Sequence, residues 1–482
     1  MIYANDKLSA LRSKHPYIEF VSYSWSFHNN GISIEYRFVL DPGIVFKPTL
    51  NISVTNLPIK KDSPEYFKLD KLVFLLGMVE LISYWKLACP SQIIVSCFSL
   101  DQYECNWWKS LFVKGLGEFF FVNDLSPSID FEIKSKTNNF SEKLSNLNSD
   151  LLNENLPVIV MVGGGKDSCV GIEVLKSVYP SERLIPLCLN PIPASYSVLN
   201  AANIAPPIIV SRIISPLLVE MSKSRSYFNG HTPFSALLSF VGVISAILSG
   251  AGSVVSSNEA SASEGNLIYQ GLEVNHQYSK SLDYEESFRE YLNYIGVRID
   301  YYSVLRPLNE IQIAGLFSNY REYFKSFQSC NRMQTLHARK SLYEPKWCGS
   351  CSKCVFTFIV LAVFLGNDEL KEIFGELLVL NSDNMDFLKE LLARDGKIKP
   401  FECVGTEDEV RLGLGSFLAR FPEKDLPHLR NLLLDEGSVC TVVTGNFDMK
   451  KERSKMLEFW NDNNFLPDNV LSLVREKISI LA

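Results

Sequence analysis

Three glycines followed by a lysine, an aspartate and a hydroxyl, Gly163-Gly164-Gly165-Lys166-Asp167-Ser168, make up the segment of this chain best suited to holding phosphate. Glycine admits positive φ and leaves no Cβ in the way, so successive backbone N–H groups can turn toward phosphate oxygens. Lys166 offers positive charge, Ser168 a hydroxyl donor, and Asp167 a carboxylate that can place a magnesium ion bridging phosphates. Two familiar loops are excluded by position. A Walker A motif needs Gly where Val160 stands and Ser or Thr where Asp167 stands, and the dinucleotide fingerprint fails at Ser168.

A second cluster, Cys348-Gly349-Ser350-Cys351-Ser352-Lys353-Cys354, spaces three thiols so that one turn can wrap a tetrahedral ion, and Cys330 is the nearest candidate for the fourth ligand. Zinc is the first expectation; an iron–sulfur cluster, which also takes four thiolates, is the alternative. The odd total of 11 cysteines, crowded in this way, argues against a secreted disulfide framework.

Between the two lie polar stretches. Asn258 and Glu259 follow a β-branched run, which places them at the carboxyl end of a strand, where ligands of parallel sheets gather; Glu259 is an acid/base or magnesium-ligand candidate. Asn229-Gly230-His231, Asn275-His276-Gln277 and Ser279-Lys280-Ser281 each stand near a helix start. His231, His276 and His337 are the histidines placed to matter, and none has metal-ligand spacing to another.

These residues must be positioned by something rigid. Residues 158–162 form an apolar run, the glycines follow, and Val170, Val174, Leu175 and Val178 then recur on one side of a helix, which reads as strand, loop and helix. Residues 184–189, 208–210 and 253–257 are further short apolar runs separated by helical segments, so a parallel sheet covered by helices is expected. Alternation in the first hundred residues, as in Ile32-Ser33-Ile34-Glu35-Tyr36-Arg37-Phe38, predicts half-buried strands from 17 to about 95. The polar run 133–155 reads as a linker, and the pattern after about Gly366 is helical. The chain therefore divides into a strand-containing part (1–150), a doubly wound α/β part with the cysteine-rich site (151–366) and a helical C-terminal region (367–482).

With 482 residues, 46% hydrophobic and 21% charged, composition is that of a globular protein of two to three domains. A net charge of −7 and the absence of a basic, aromatic-interleaved patch argue against a nucleic-acid partner. The start carries no apolar signal region, and the runs 234–249 and 355–365 fall short of the roughly 18–20 residues of a membrane span, so a cytoplasmic chain with no membrane partner is expected. Oligomeric state is not legible.

The glycine loop resembles the Ser-Gly-Gly-x-Asp-Ser signature of the PP-loop ATP pyrophosphatases, with Gly163 where that signature has serine. The cysteine layout is similar to the structural zinc site of the PP-loop deazaguanine synthases. Taken in order, Gly115-Leu116-Gly117-Glu118-Phe119, the glycine loop, Asn229-Gly230-His231, Ser257-Asn258-Glu259, Asn275-His276-Gln277, Ser279-Lys280-Ser281, Ser329-Cys330-Asn331-Arg332, the cysteine cluster and Phe401-Glu402-Cys403-Val404-Gly405 resemble the MurL family of UDP-N-acetylmuramoyl-L-alanyl-L-glutamate epimerases. That resemblance implies a doubly wound sheet of the PP-loop type and the small-molecule substrate UDP-MurNAc-L-Ala-L-Glu. It also implies ATP-dependent inversion of the terminal L-Glu to D-Glu through an acyl adenylate, releasing AMP and pyrophosphate, in peptidoglycan precursor synthesis. Gly163, Gly164, Gly165, Lys166, Asp167, Ser168 and Asn258 would then bind ATP, with Asp167 or Glu259 on magnesium. The proton transfers would fall among His276, His231, Lys280 and Cys330, His276 first because imidazole titrates near working pH. A PP-loop ligase or amidotransferase that adenylates another carboxylate or a heterocycle is the alternative, and a non-catalytic zinc-stapled binding module the third reading.

Overall fold

The computed structural model describes residues 2–28, 30–54, 59, 63–135, 155–330, 332, 347–422, 424–432 and 449–481. Short runs rich in Val, Ile, Tyr and Phe, bounded by turns, give thirteen strands among them. In chain order these are β1 (Tyr17–His28), β2 (Gly31–Leu40), β3 (Ile44–Phe46), β4 (Thr49–Ser53), β5 (Gln92–Val95), β6 (Glu132–Ser135) and β7 (Val158–Met161). They continue with β8 (Leu184–Leu189), β9 (Ile208–Ile213), β10 (Ser253–Ser256), β11 (Leu267–Tyr269), β12 (Leu272–Val274) and β13 (Asp300–Ser303).

Eleven strands join in one sheet, ordered β13-β10-β7-β8-β9-β4-β2-β1-β5-β6 with β3 beside β2, while β11 and β12 form a separate hairpin. From β13 to β9 every pairing is parallel. The chain starts this block at β7, winds outward through β8 and β9, and returns to the other side of β7 with β10 and β13. The winding direction thus reverses between β7 and β10, and a crevice opens there at the carboxyl ends of the strands. On the far side, β4 pairs antiparallel with β9, so the strands before residue 150 and those after it share one sheet.

Alternate residues of the parallel strands feed two cores. Ile159, Leu187, Val254 and Tyr301 pack on one face with the helices Pro64–Trp85, Phe234–Ser249 and Leu282–Tyr294. Val158, Val160, Cys188, Val255 and Tyr302 pack on the other with Lys166–Val178, Glu310–Ser318 and Ser352–Leu361. The apolar runs expected as buried helices are the helices Phe234–Ser249 and Ser352–Leu361. Beyond β13 the described chain is helical, ending in Asp468–Ser479, which packs back on Lys166–Val178. No described helix is long and apolar enough to cross a membrane.

Two local expectations differ from the structure. Residues 64–85, read within a run of strands, form the helix Pro64–Trp85, started by Ser63, whose side chain accepts from the Tyr66 N–H, with Pro64 in the first turn. This helix is buried on all sides from Leu72 to Trp85, so its sequence carries no one-sided helical period to read. Of the stretch 133–155 read as linker, Ile133, Lys134 and Ser135 belong to β6, and 136–154 lie outside the described residues. His337 and Asn331 lie outside them too.

Candidate active site

The glycine loop leaves β7 and enters the helix Lys166–Val178 at the reversal point. Gly164 has φ +92°, and a Cβ there would meet the Ser195 backbone nitrogen at 2.7 Å, so both conformation and space require glycine. Gly163 differs: a Cβ would meet nothing nearer than Ser168 Oγ at 4.0 Å, so nothing in the local packing requires glycine there. The Gly163 N–H donates to Ser168 Oγ (3.2 Å), Ser195 Oγ donates to the Gly163 carbonyl (3.2 Å), and the Gln328 N–H to that of Gly164 (2.8 Å). Gly165 caps the helix with no side-chain bond, which leaves the amide donors of the first turn without a side-chain cap beside the crevice that Gly163, Asp167 and Ser168 line. The cleft, about 1040 Å³ counting its open mouth, is lined by Gly163, Asp167, Ser168, Asn190, Ser257, Asn258 and Lys280.

Beneath the loop lies a buried charge cluster. Lys166, 3% exposed, places Nζ 2.5 Å from Asp167 and 2.7 Å from Glu310, the first residue of the helix Glu310–Ser318. Asp167, Glu259 and Glu310 each bring a carboxylate oxygen within 4.8 Å of the others. Burial pushes the Lys166 pKa down, but the charges of Asp167 and Glu310 outweigh it and hold the ammonium firmly protonated. Burial raises Glu310 above the usual carboxylate range, and burial together with the charge of Glu310 pushes Glu409 up to about 7. Asp167 is held low, because Lys166 and Lys353 outweigh its burial. Glu310 Oε1 is buried with no hydrogen-bond partner among the described residues, so the cluster has an oxygen to offer to a cation.

Asn258 is fixed by its N–H to Ser303 Oγ (2.6 Å) and its amide to Ser256 Oγ (3.0 Å). The wholly buried Arg306 ties the neighbouring loops together: Nη1 donates to the Glu259 carbonyl (2.8 Å), Nη2 to the Lys280 carbonyl (2.6 Å) and to Glu285 (2.8 Å).

A second polar group adjoins the cleft through Lys280. His276 Nδ1 lies 2.5 Å and His231 Nδ1 3.5 Å from Glu118 Oε2, with the two rings 4.5 Å apart. His276 is set by a turn in which its N–H donates to Asn266 Oδ1 (2.9 Å) and the Gln277 N–H to Asn275 Oδ1 (2.7 Å). Lys280 Nζ donates to Cys403 Sγ at 3.1 Å, and His276 hydrogen-bonds the same thiol. Burial works against charge at His276, yet the bonds to Cys403 and Glu118 raise it to about 9. Burial and the neighbouring His276 push His231 down to about 3, so it is neutral.

The sulfurs of Cys330, Cys348, Cys351 and Cys354 lie within 4.8 Å of one another, with Cys348–Cys354 at 3.6 Å and Cys351–Cys354 at 3.4 Å. A disulfide needs about 2.05 Å, whereas the edge of a tetrahedral zinc–thiolate site with bonds of about 2.3 Å is ~3.8 Å, so the spacing fits an ion. Cys351 ends its loop in extended backbone and Cys354 lies in the first turn of the buried helix Ser352–Leu361. Between them Lys353 reaches out of the cluster, its N–H donating to Glu402 (3.0 Å) and its ammonium to the Cys403 carbonyl.

The structure therefore brings Gly163, Asp167, Ser168, Asn258 and Lys280 to one cleft, with Lys166 and Glu259 among the groups beneath it. His231 and His276 form their own cluster beside Lys280, and Cys330 lies with the other three cysteines rather than with the histidines. Sequence reasoning assigned no role to Glu310, Arg306, Glu118 or Cys403. Glu118 and Cys403 stand inside segments that carry the family resemblance, a signal that could have flagged them; Glu310 and Arg306 come from the segment after β13, which carries no motif.

Residues 10–304 match the MurL N-terminal domain and residues 326–438 the MurL C-terminal domain. Three relatives bear the name UDP-N-acetyl-alpha-D-muramoyl-L-alanyl-L-glutamate epimerase. The protein from Micromonospora sp. is 32% identical over 384 residues, 79% of this chain and 83% of its own length. That from Xanthomonas oryzae pv. oryzae is 30% identical over 84% of this chain and 86% of its own, and that from Salinispora tropica 30% over 79% and 81%. No solved structure matches the chain.

Proposed function

The chain belongs to the MurL family of epimerases of peptidoglycan precursor synthesis, and from that premise we propose that it inverts the terminal L-Glu of UDP-MurNAc-L-Ala-L-Glu by converting the α-carboxylate to an acyl adenylate, with release of AMP and pyrophosphate. The observation that carries this reading is the cleft at the reversal point, where a glycine loop, an uncapped helix N-terminus, Asn258 and Lys280 converge. The same loop and strand order support a PP-loop type of fold.

ATP is needed because an ionised carboxylate makes the α C–H a very weak acid, while an acyl adenylate draws electrons away and lets a side-chain base remove the proton. An α-carboxylate oxygen attacks the α-phosphorus of ATP and pyrophosphate leaves. The amides of the glycine loop, Ser168 and Lys280 stabilise the charge that develops on the phosphates. Asp167, Glu259 and Glu310 would hold magnesium, which when bound supplies positive charge against phosphate oxygens. Lys166 keeps those carboxylates charge-balanced from below. The α-proton is then removed, a proton returns on the opposite face, and water releases AMP from the inverted product. Zinc on Cys330, Cys348, Cys351 and Cys354 would act structurally, holding Lys353 and through it the Cys403 loop.

Incubating the protein with ATP, magnesium and the nucleotide dipeptide, with no amine present, is expected to give D-Glu on chiral analysis of the hydrolysed product, with AMP accumulating. D-Glu without AMP would remove the adenylate from this account, and AMP formed only when an amine is added would favour the ligase reading.

A further inference from the structure

We infer that Cys403, whose sulfur is held between Lys280 and His276, is the base that takes the α-proton. The inference rests on the acyl adenylate reading above and names a residue of that reaction. Four observations converge on this sulfur. Lys280 lines the same cleft as the glycine loop, so the group 3.1 Å behind its ammonium is next to the place an adenylated carboxyl group would occupy. Cys403, like Cys97 and Cys105, is only half-buried, whereas Cys89, Cys169 and Cys188 are enclosed in the cores. A histidine oriented by a carboxylate, Glu118 on His276, hydrogen-bonds the thiol, which is the base-and-orienter arrangement of an activated nucleophile or base. The backbone of Cys403 is itself anchored, its carbonyl accepting from Lys353 between two cysteines of the four-thiol cluster.

The electrostatics agree with the geometry. Burial alone would raise the Cys403 thiol, but Lys280, the bond to His276 and the charge of Lys353 bring it down to about 6. Among the described cysteines outside the four-thiol cluster it alone is lowered; Cys89, Cys97, Cys105, Cys169 and Cys188 are all raised by burial. With His276 protonated up to about 9, thiolate and imidazolium coexist between those limits.

In the step assigned to it, the Cys403 thiolate forms an S–H bond with the α-hydrogen while the C–H electron pair moves onto the acyl oxygen as an enolate. Lys280, whose ammonium faces both the cleft and the sulfur, stabilises that oxygen. A solvent-derived proton delivered to the opposite face re-forms the C–H bond with inverted configuration. Glu118 and His276 act on this step as positioning residues.

The test follows two signals in heavy water with ATP, magnesium and the nucleotide dipeptide: exchange of labelled pyrophosphate into ATP, and deuterium at the glutamate α-carbon. Cys403→Ser and Cys403→Ala are expected to slow α-deuteration about 10²–10⁴-fold, the usual contribution of a general base, while pyrophosphate exchange falls less than about tenfold. Deuteration within a few-fold of the unmodified protein overturns the assignment, and so does a loss of both signals in proportion. Absence of pyrophosphate exchange in the unmodified protein would instead sink the adenylate, and Cys403 would still be judged on deuteration. As a check that needs no variant, kcat/KM should fall below about pH 6 as Cys403 protonates and above about pH 9 as His276 loses its proton. The charged groups around the pair are Lys280, Lys353, Glu118 and Glu402, with the neutral His231; a flat profile from pH 5 to 10 would contradict the thiolate–imidazolium pair.

Discussion

Replacing Lys166 by methionine is expected to lower the unfolding free energy by about 3–5 kcal/mol, the cost of stripping one partner from a buried ion pair. The side chain is 3% exposed and its ammonium is bonded to both Asp167 and Glu310, whose carboxylates would be left facing Glu259 and Glu409 with no bonded cation. Chemical denaturation of the single variant measures the loss. The double variant Lys166→Met, Glu310→Gln removes the uncompensated carboxylate along with its cation and should recover most of that stability. It should nevertheless cleave ATP about 10²–10³-fold more slowly, because the charge that balances Asp167 under the phosphates and one of the three carboxylates proposed for magnesium are both gone. Unchanged stability in the single variant would mean that the buried ion pair is not what holds the loop. Undiminished ATP cleavage in the double would take Lys166 out of the reaction.

The second large effect concerns the four thiols. The protein should purify with one zinc per chain and no colour, and Cys351→Ser should lose the metal and unfold at markedly lower denaturant. Structural zinc contributes on the order of 10–16 kcal/mol in small zinc-finger peptides; here the adjoining buried helix Ser352–Leu361 retains part of the folding energy, so the loss should be smaller but still several kcal/mol. Metal removal should act on activity before it acts on the sheet, because Lys353 lies between two of the ligands and donates to the Cys403 carbonyl. Iron with inorganic sulfide in the purified protein would replace zinc in this account; a metal-free protein of full stability would contradict the site.

The sheet was legible where β-branched runs are short and bounded. Residues 158–162, 184–189 and 253–257 coincide closely with β7, β8 and β10, because a central parallel strand buried on both faces must be a compact apolar run. The helix Pro64–Trp85 was not legible, because a segment buried on every side shows no period that separates helix from strand. The pairing of β4 with β9, which joins the first strands to the parallel block, links segments far apart in sequence and leaves no local trace. The same contrast runs through the candidate site. Gly164 announces itself because only glycine tolerates its φ, and the cysteines because ligand spacing is short-range. Glu310, Arg306 and Cys403 reach the site from later segments, and only the fold sets them beside Lys166, Glu259 and Lys280.

In the proposed reaction the α-carboxylate is joined to AMP before the proton moves, and the fate of the carboxylate oxygen tests that order most directly. With substrate carrying oxygen-18 in the α-carboxylate of its terminal glutamate, attack on the α-phosphorus followed by hydrolysis at the acyl carbon must leave one labelled oxygen in AMP. Mass spectrometry is expected to find singly labelled AMP in step with the D-Glu formed. AMP without label, while D-Glu accumulates, would contradict the acyl adenylate and the roles assigned to the cleft.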